Sequence, residues 1–586
     1  MKQIIMNKTK ELLRFMVYVL LPLLGGGWMG VSCVDTVILP DNKTIDEDFW
    51  QKKADVDGVV AAAYSQLCND EVIRNMIVWG DFRSDEMVVA EDVPGTNATK
   101  IALSQIYSMN IDTENAFTKW TPFYSAINYC NLVLEKAEDV IAIDPDYSQG
   151  DYDANKAQVL ALRAFCYFYL TRVFHDIPVA PAAYLNSSDD LNPTQKTPAE
   201  VIDMCINDLT EAVKVAVSGS TFGDWRDKGY FNKDGINALL ADIYLWRASV
   251  NRDVNDYQLC IDYCDQVIKA KKAAYEQNPP ESKGPAATPT TSEYYLSDYA
   301  NMYADLFGAT GQNAIESIFE LQYRTSGKSN GAILNMYYSY NGSTNSDAFL
   351  KVPTIYGKVD GTGKGVWHND VDQRLYDYIY DAKSSLEQLG IRKFVAADWA
   401  KESTVDTRTS SPSLVKDWII YRLTDVMLMK AEALVQLYEL NGKAATDTRN
   451  QDAFDICQFV NDRALPTDKK AANTLKYTVY KDKMEELVLA ERVRELCFEG
   501  KRWFDLLRYN YRHTTEQADL TKKLSESYVT NSNEFLELAL RKYGAASLMK
   551  AKIRDERYLY MPINQYETEV NPNLVQNPAY KSSAKY

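Results

Sequence analysis

Two eight-residue stretches, far apart in the chain, follow one pattern. Ala241-Asp242-Ile243-Tyr244-Leu245-Trp246-Arg247-Ala248 lines up with Thr424-Asp425-Val426-Met427-Leu428-Met429-Lys430-Ala431. The aspartate, the aliphatic positions, the base and the closing alanine coincide, and a second amphipathic segment follows each stretch. A helix pair with a small residue at its close-packing position cannot bury its apolar face alone, so neighbouring pairs have to stack. The pattern predicts a mainly α fold, a tetratricopeptide-like superhelix of about four helix pairs. Apolar periodicity places helices at 54–68, 119–138, 155–174, 198–217, 233–250, 255–272, 418–440, 452–464 and 477–509.

The periodicity stops between 275 and 416, where Gly, Pro, Ser, Thr and Asn dominate, as in Gln277-Asn278-Pro279-Pro280 and Tyr340-Asn341-Gly342-Ser343. Short strand-like pieces such as 315–323 interrupt it. An insert this long in a helical array is rarely inert, and loops on a rigid scaffold tend to carry binding function. The chain is therefore read as a leader (1–32), an N-terminal helical region (33–274), a loop-rich insert forming the ligand-binding lobe (275–416) and a C-terminal helical region (417–586).

The leader has Lys2, Lys8, Lys10 and Arg14, then the apolar run Phe15 to Val31, then Gly30-Val31-Ser32-Cys33. This order is that of a secretory signal peptide with its cleavage site at the small end. Cleavage before Cys33 would leave an N-terminal cysteine to carry lipid. The alternative is an uncleaved anchor helix. Its apolar run of 17 residues, broken by Pro22 and Gly25-Gly26-Gly27, is short for crossing ~30 Å of hydrocarbon.

Formal net charge is −17, and loss of the leader's net +3 leaves −20. So acidic a body is repelled by a phosphate backbone, which excludes nucleic acid as ligand. The eight cysteines other than Cys33 sit in apolar helical patterns without regular spacing, as buried free thiols do. Three histidines and no HExxH motif argue against a histidine-rich metal site. No metal and no cofactor are assigned.

Six motifs in chain order resemble the SusD/RagB family, surface lipoproteins of Bacteroidetes that bind nutrients. Phe49-Trp50, Val56-Asp57-Gly58 and Ala63-Tyr64 look like the family's opening helix, and Trp120, Phe123-Tyr124, Ile127-Asn128 and Asn131 like the next. Leu162-Arg163-Ala164-Phe165-Cys166-Tyr167 with Asp176-Ile177-Pro178 follows. Tyr421-Arg422-Leu423-Thr424-Asp425 through Ala433 and the run Glu491 to Arg508 match the most specific signatures, and Pro562-Ile563, Asn571-Pro572 and Gln576-Asn577-Pro578 match the closing one. The resemblance implies lipid on Cys33, an outer-membrane location and a partner, a SusC-like TonB-dependent barrel. It also implies a glycan ligand, or sometimes a peptide, and no covalent chemistry.

Candidate contacts are aromatic and charged residues suited to sugars. In Trp79-Gly80-Asp81-Phe82-Arg83-Ser84-Asp85-Glu86, Trp79 would stack on a pyranose while Asp81, Arg83 and Asp85 bond its hydroxyls; the alternative is a loop closed by internal ion pairs. Starch-binding relatives tend to carry tryptophans just after this stretch, where this chain has Met87-Val88-Val89-Ala90. That departure leaves the ligand class open. Trp225, Tyr338 and Trp367 are the loop aromatics chosen as further contacts, against the reading that they anchor their loops. Glu495, Glu499, Arg502, Asp505 and Arg508 lie at helical spacings of three and four and read as charge pairing that locks the fold. No catalytic residue is assigned. A helical glycan hydrolase or lyase would need two carboxylates ~5–10 Å apart across the bond, and no pair stands out.

Overall fold

In the computed structural model, residues 49–580 are described except 92, 186–191, 220–225, 278–293, 309–313, 324–329, 338–347, 358–365, 381–387, 395–415, 445, 527–528 and 544–546. Ten long helices carry the body: α1 (Lys53–Leu67), α2 (Thr121–Val140), α3 (Gln149–Phe174), α4 (Pro198–Val215), α5 (Lys233–Asn251), α6 (Val254–Gln277), α7 (Leu423–Leu440), α8 (Arg449–Arg463), α9 (Met484–Leu496) and α10 (Arg502–His513). Four pairs stack in order: α1 on α2, α3 on α4, α5 on α6 and α7 on α8. Successive pairs touch through α2–α3, α4–α5 and α6–α7, so one apolar core runs through the stack.

Local chemistry sets the helix starts. Ser148 and Asp151 form a reciprocal capping box at α3, as do Thr197 and Glu200 at α4, where Pro198 occupies the first turn. The Asn232 side chain caps α5 by accepting from the Asp234 and Gly235 amides. Helix α3 is buried on nearly every face from Ala157 to Phe174 and forms the spine of the body.

Among the described residues eight short strands complete the fold: β1 (Val88–Val89), β2 (Ile177–Pro178), β3 (Gln195–Lys196), β4 (Ser317–Leu321), β5 (Leu350–Pro353), β6 (Ile379–Tyr380), β7 (Gln388–Ile391) and β8 (Trp418–Arg422). They form the antiparallel sheet β1-β5-β7-β6 and the pairs β2-β3 and β4-β8. The insert is thereby sewn to the body at two places, β4 on β8 and β5 on β1. It also buries Leu350, Val352, Tyr356, Trp367, Leu375 and Phe394 in the common core.

Two sequence expectations need correction. The segment 418–440 is not one helix: Trp418–Arg422 is a fully buried strand paired with β4, and the helix starts at Leu423. A continuous apolar run cannot by periodicity alone distinguish a buried strand from a helix. The helix expected at 477–509 is three pieces, broken before Met484 and again at Cys497–Lys501. In that second break Phe498 (φ 66°) and Gly500 (φ 75°) take the left-handed conformation.

Candidate functional site

The stretch chosen from sequence begins where the helix Asp70–Ile77 widens into a π-helical turn, Val78–Phe82. This turn presses on the break before α10. A Cβ on Gly80 would lie 2.2 Å from the Gly500 carbonyl oxygen, so only glycine allows the approach. The contact delivers the Asp81 carboxylate to the start of α10, where it accepts from the backbone N–H groups of Gly500 (2.6 Å), Lys501 (3.0 Å) and Arg502 (3.4 Å). Such a cluster of amides at a helix N-terminus is a ready anion site. Here the chain's own carboxylate fills it.

The neighbouring side chains are equally engaged. Asp85 accepts from Arg502 Nε at 2.9 Å and also pairs with Arg541. Burial works to raise its pKa, yet Arg502 and Arg541 hold it below the usual carboxylate range. Trp79 is fully buried against Phe123, Tyr169 and Phe174 and donates through Nε1 to the Phe117 carbonyl at 2.8 Å. Arg83 donates to the Tyr558 carbonyl at 3.0 Å and lies over the Trp503 ring, and burial lowers its pKa to about 10. Trp79, Asp81, Arg83 and Asp85 therefore do not form an open sugar-binding face in this structure. Their arrangement is that of a loop closed by internal pairs.

Charge in the C-terminal signature is also internal. Arg374 reaches Asp372 (2.8 Å), Glu491 (2.7 Å) and Glu495 (3.0 Å). Arg422 joins Glu495 (2.7 Å) to Glu499 (2.8 Å), and Lys393 also donates to Glu499. Arg463 bridges Glu316 to Glu495, and Arg508 bridges Glu432 to Asp505. Burial pushes the pKa values of Glu491, Glu495 and Glu499 up, but the facing cations, Arg374, Arg422, Arg463, Arg494 and Lys393, hold all three below normal. They stand as paired carboxylates, without the raised pKa that a general acid needs. Glu316, Asp372, Arg374 and Lys393 belong to the insert, so the network fastens insert to body.

Trp367 is 2% exposed and donates through Nε1 to the Tyr356 carbonyl at 2.6 Å, so it anchors the insert and does not face solvent. Cys33, Trp225 and Tyr338 lie outside the described residues. Tyr294 and Tyr295, at the start of the insert, are half-buried. A narrow polar cleft runs between α3, α5, β8 and α10, with room for about one or two water molecules. Its lining cations, Arg172, Arg492, Lys501 and Arg508, are balanced by Asp242, Asp425, Glu499 and Asp505. Among the described residues no cluster of His, Cys, Asp or Glu is placed to hold a metal ion. Eight cysteines there are free, and all but the half-buried Cys68 are buried. No described helix is long and apolar enough to cross a membrane.

Sequence reasoning missed the distant partners in this region, Tyr356, Arg541 and Lys542. No local pattern signals a pair such as Asp85–Arg541, whose members are 456 positions apart.

Stacked helix pairs with an insert clamped by buried ion pairs define a helical-repeat scaffold of the tetratricopeptide type. Residues 380–580 match the SusD family, and residues 39–245 match a family described as "Starch-binding associating with outer membrane". The chain belongs to the SusD/RagB family. It is similar to SusD-like protein P38 of Formosa agariphila, at 26% identity over 82% of this chain and 88% of the relative. SusD-like protein P2 of the same organism is 21% identical over the same shares. A solved SusD homolog from Bacteroides thetaiotaomicron superposes with a TM-score of 0.66 at 17% identity, over 92% of this chain and 98% of that one. NanU of B. fragilis gives 0.64 at 18% identity, over 93% and 100%. These superpositions show the fold.

Proposed function

We propose that this chain is an outer-membrane lipoprotein, lipidated at Cys33 after removal of residues 1–32, that binds oligosaccharide or polysaccharide nutrients. It delivers them to a SusC-like TonB-dependent barrel and performs no covalent step. The observation that carries this reading is the pair of family matches, one of which describes starch binding at the outer membrane. The engagement of the signature carboxylates in ion pairs adds support, because it leaves them unavailable as an acid–base pair. Ligand contacts are assigned to loop aromatics, Trp225 and Tyr338 among them, and to the half-buried Tyr294 and Tyr295 of the insert.

Calorimetric titration of the chain lacking its leader against panels of glycans and peptides tests the ligand class. A glycan that binds supports the proposal, and binding to peptides alone replaces glycan with peptide. No binding to either, with no barrel co-purifying from membranes, sinks it. Trp225→Ala and Tyr338→Ala should each weaken glycan binding about fivefold to tenfold, the worth of one aromatic contact. Cys33→Ala should release the protein from the membrane fraction and leave the affinity of the soluble form unchanged.

A further inference from the structure

Three acidic residues, Asp81, Asp85 and Glu86, are fully buried within six positions of one another. The cations that face them are unevenly shared. Arg502 and Arg541 both pair with Asp85, and Arg541 also donates to the Tyr356 hydroxyl at 3.3 Å. Asp81 is served by the three amides at the start of α10. The Glu86 carboxyl accepts one hydrogen bond, from the Phe498 amide to Oε2 at 3.2 Å, and its Oε1 is buried without a hydrogen-bond partner. An ionised carboxylate in that position would lack both a counter-ion in contact and half of its acceptors' partners, which is prohibitive in a water-excluded site.

We infer that Glu86, with Asp81 beside it, is a proton-binding site that keeps the π-helical turn fastened to α10, so that rising pH loosens this seam.

Every element around the site bears on the charge balance. From the break before α10 come Cys497 and Glu499, and from the first turn of α10 comes Arg502; Glu499 adds negative charge and Arg502 opposes it. From the insert come the Tyr337 and Tyr356 hydroxyls, both neutral because burial raises them well above their normal range. Tyr337 donates to the Phe498 carbonyl at 3.2 Å and brings no positive charge. From the C-terminal region come Arg541 and Lys542. Lys542 donates to the Phe82 and Met87 carbonyls on the same loop, and burial lowers its pKa to about 7. Burial pushes Asp81 up to about 7, and it pushes Glu86 well above its usual range, with the charge of Asp81 adding to the shift.

The signs follow from linkage. A carboxyl whose folded pKa is raised contributes stability that is present below its unfolded pKa, near 4, and is lost as pH rises through the folded value. Lys542 has the opposite sign, since its lowered pKa favours the folded state as pH rises from about 7 towards its unfolded value. The Glu86 contribution is therefore read as a difference between wild type and Glu86→Gln, which share Lys542.

Urea unfolding of the full chain and of Glu86→Gln between pH 5 and 9 gives that difference. The ratio of their unfolding constants should already change by up to about tenfold per pH unit from pH 5 upward, to the disadvantage of wild type, and level off only above the folded pKa of Glu86. A ratio independent of pH overturns the inference. Should Glu86→Gln not fold, carbon-13 NMR of the glutamate carboxyls reads wild type directly. A protonated glutamate signal at pH 7, quenched in Glu86→Asp or shifted by Asp81→Asn, supports the inference; all glutamates ionised at pH 7 overturns it.

Discussion

Helices α5 and α7 carry the same octapeptide pattern and use it to reach in opposite directions. Asp242 of α5 pairs back along the chain, with Arg172 of α3 at 3.1 Å, and accepts from the Tyr421 hydroxyl at 2.9 Å. Asp425 of α7 pairs forward, with Arg492 of α9 at 3.1 Å and Lys501 at 2.9 Å. The bases of the pattern also differ. Arg247 is held by Asp256 and Asp203, whereas Lys430 reaches Asp265 on α6. The alanines behave alike: Ala248 and Ala431 are both fully buried at helix contacts. The repeat thus fixes where helices touch. The partner of its buried acid depends on which neighbour supplies an arginine. Only α7 is preceded by a strand, β8, and the last residue of that strand, Arg422, pairs with Glu495 and Glu499, the carboxylates that also receive Arg374 and Lys393 of the insert.

The strand junction is the sharpest difference between the two helices, and breaking it should cost most. Arg422→Ala leaves Glu495 and Glu499 buried with fewer cations and should destabilise the chain by about 3–5 kcal/mol in urea unfolding. A cost below 1 kcal/mol would mean that Arg374, Arg463 and Lys393 hold the insert without it. Next come the two aspartates. Asp242→Ala leaves the buried Arg172 guanidinium against aromatic rings, Phe168 and Phe504 at 4.1 and 4.3 Å with Tyr169 and Trp246 farther off, and should cost about 3 kcal/mol. Asp425→Ala should cost less, about 1–2 kcal/mol, because Arg492 keeps Asp505 at 2.9 Å and Lys501 is partly exposed to water. The reverse order would overturn the account of the two partners.

Acid should also tell the helices apart. Burial would raise Asp425, but Lys501 and Arg492 hold it down to about 2. Its contribution is present above the unfolded pKa near 4 and lost as pH falls through about 2. Asp425→Asn should therefore flatten the stability curve between pH 4 and 2, as followed by circular dichroism. The smallest effect belongs to the bases. Lys430→Met breaks a pair whose acid, Asp265, is half exposed, so the cost should stay under about 1 kcal/mol.

Much of the body was legible in the sequence. The helices from Lys53 to Gln277 lie close to the positions that periodicity assigned, and the predicted stacking of about four pairs is the stacking observed. The dense charge of 495–508 was read as a lock, and it is one. The binding stretch at 79–86 was harder. Its residue types suit either a sugar site or a sealed seam, and only the approach of Gly80 to Gly500 decides between them.

By itself the sequence determined the helices, their pairing and the family, because these rest on local periodicity and on motifs that each span one element. Tertiary structure alone decided that Trp418–Arg422 is a strand, that Trp79 and Trp367 are core, and that Glu86 has no cation in contact among the described residues. Each of these depends on partners outside the element itself, from Tyr356 at Trp367 and Phe174 at Trp79 to β4 at Trp418–Arg422, and burial converts a polar or aromatic side chain from a ligand contact into a structural one only when those partners arrive.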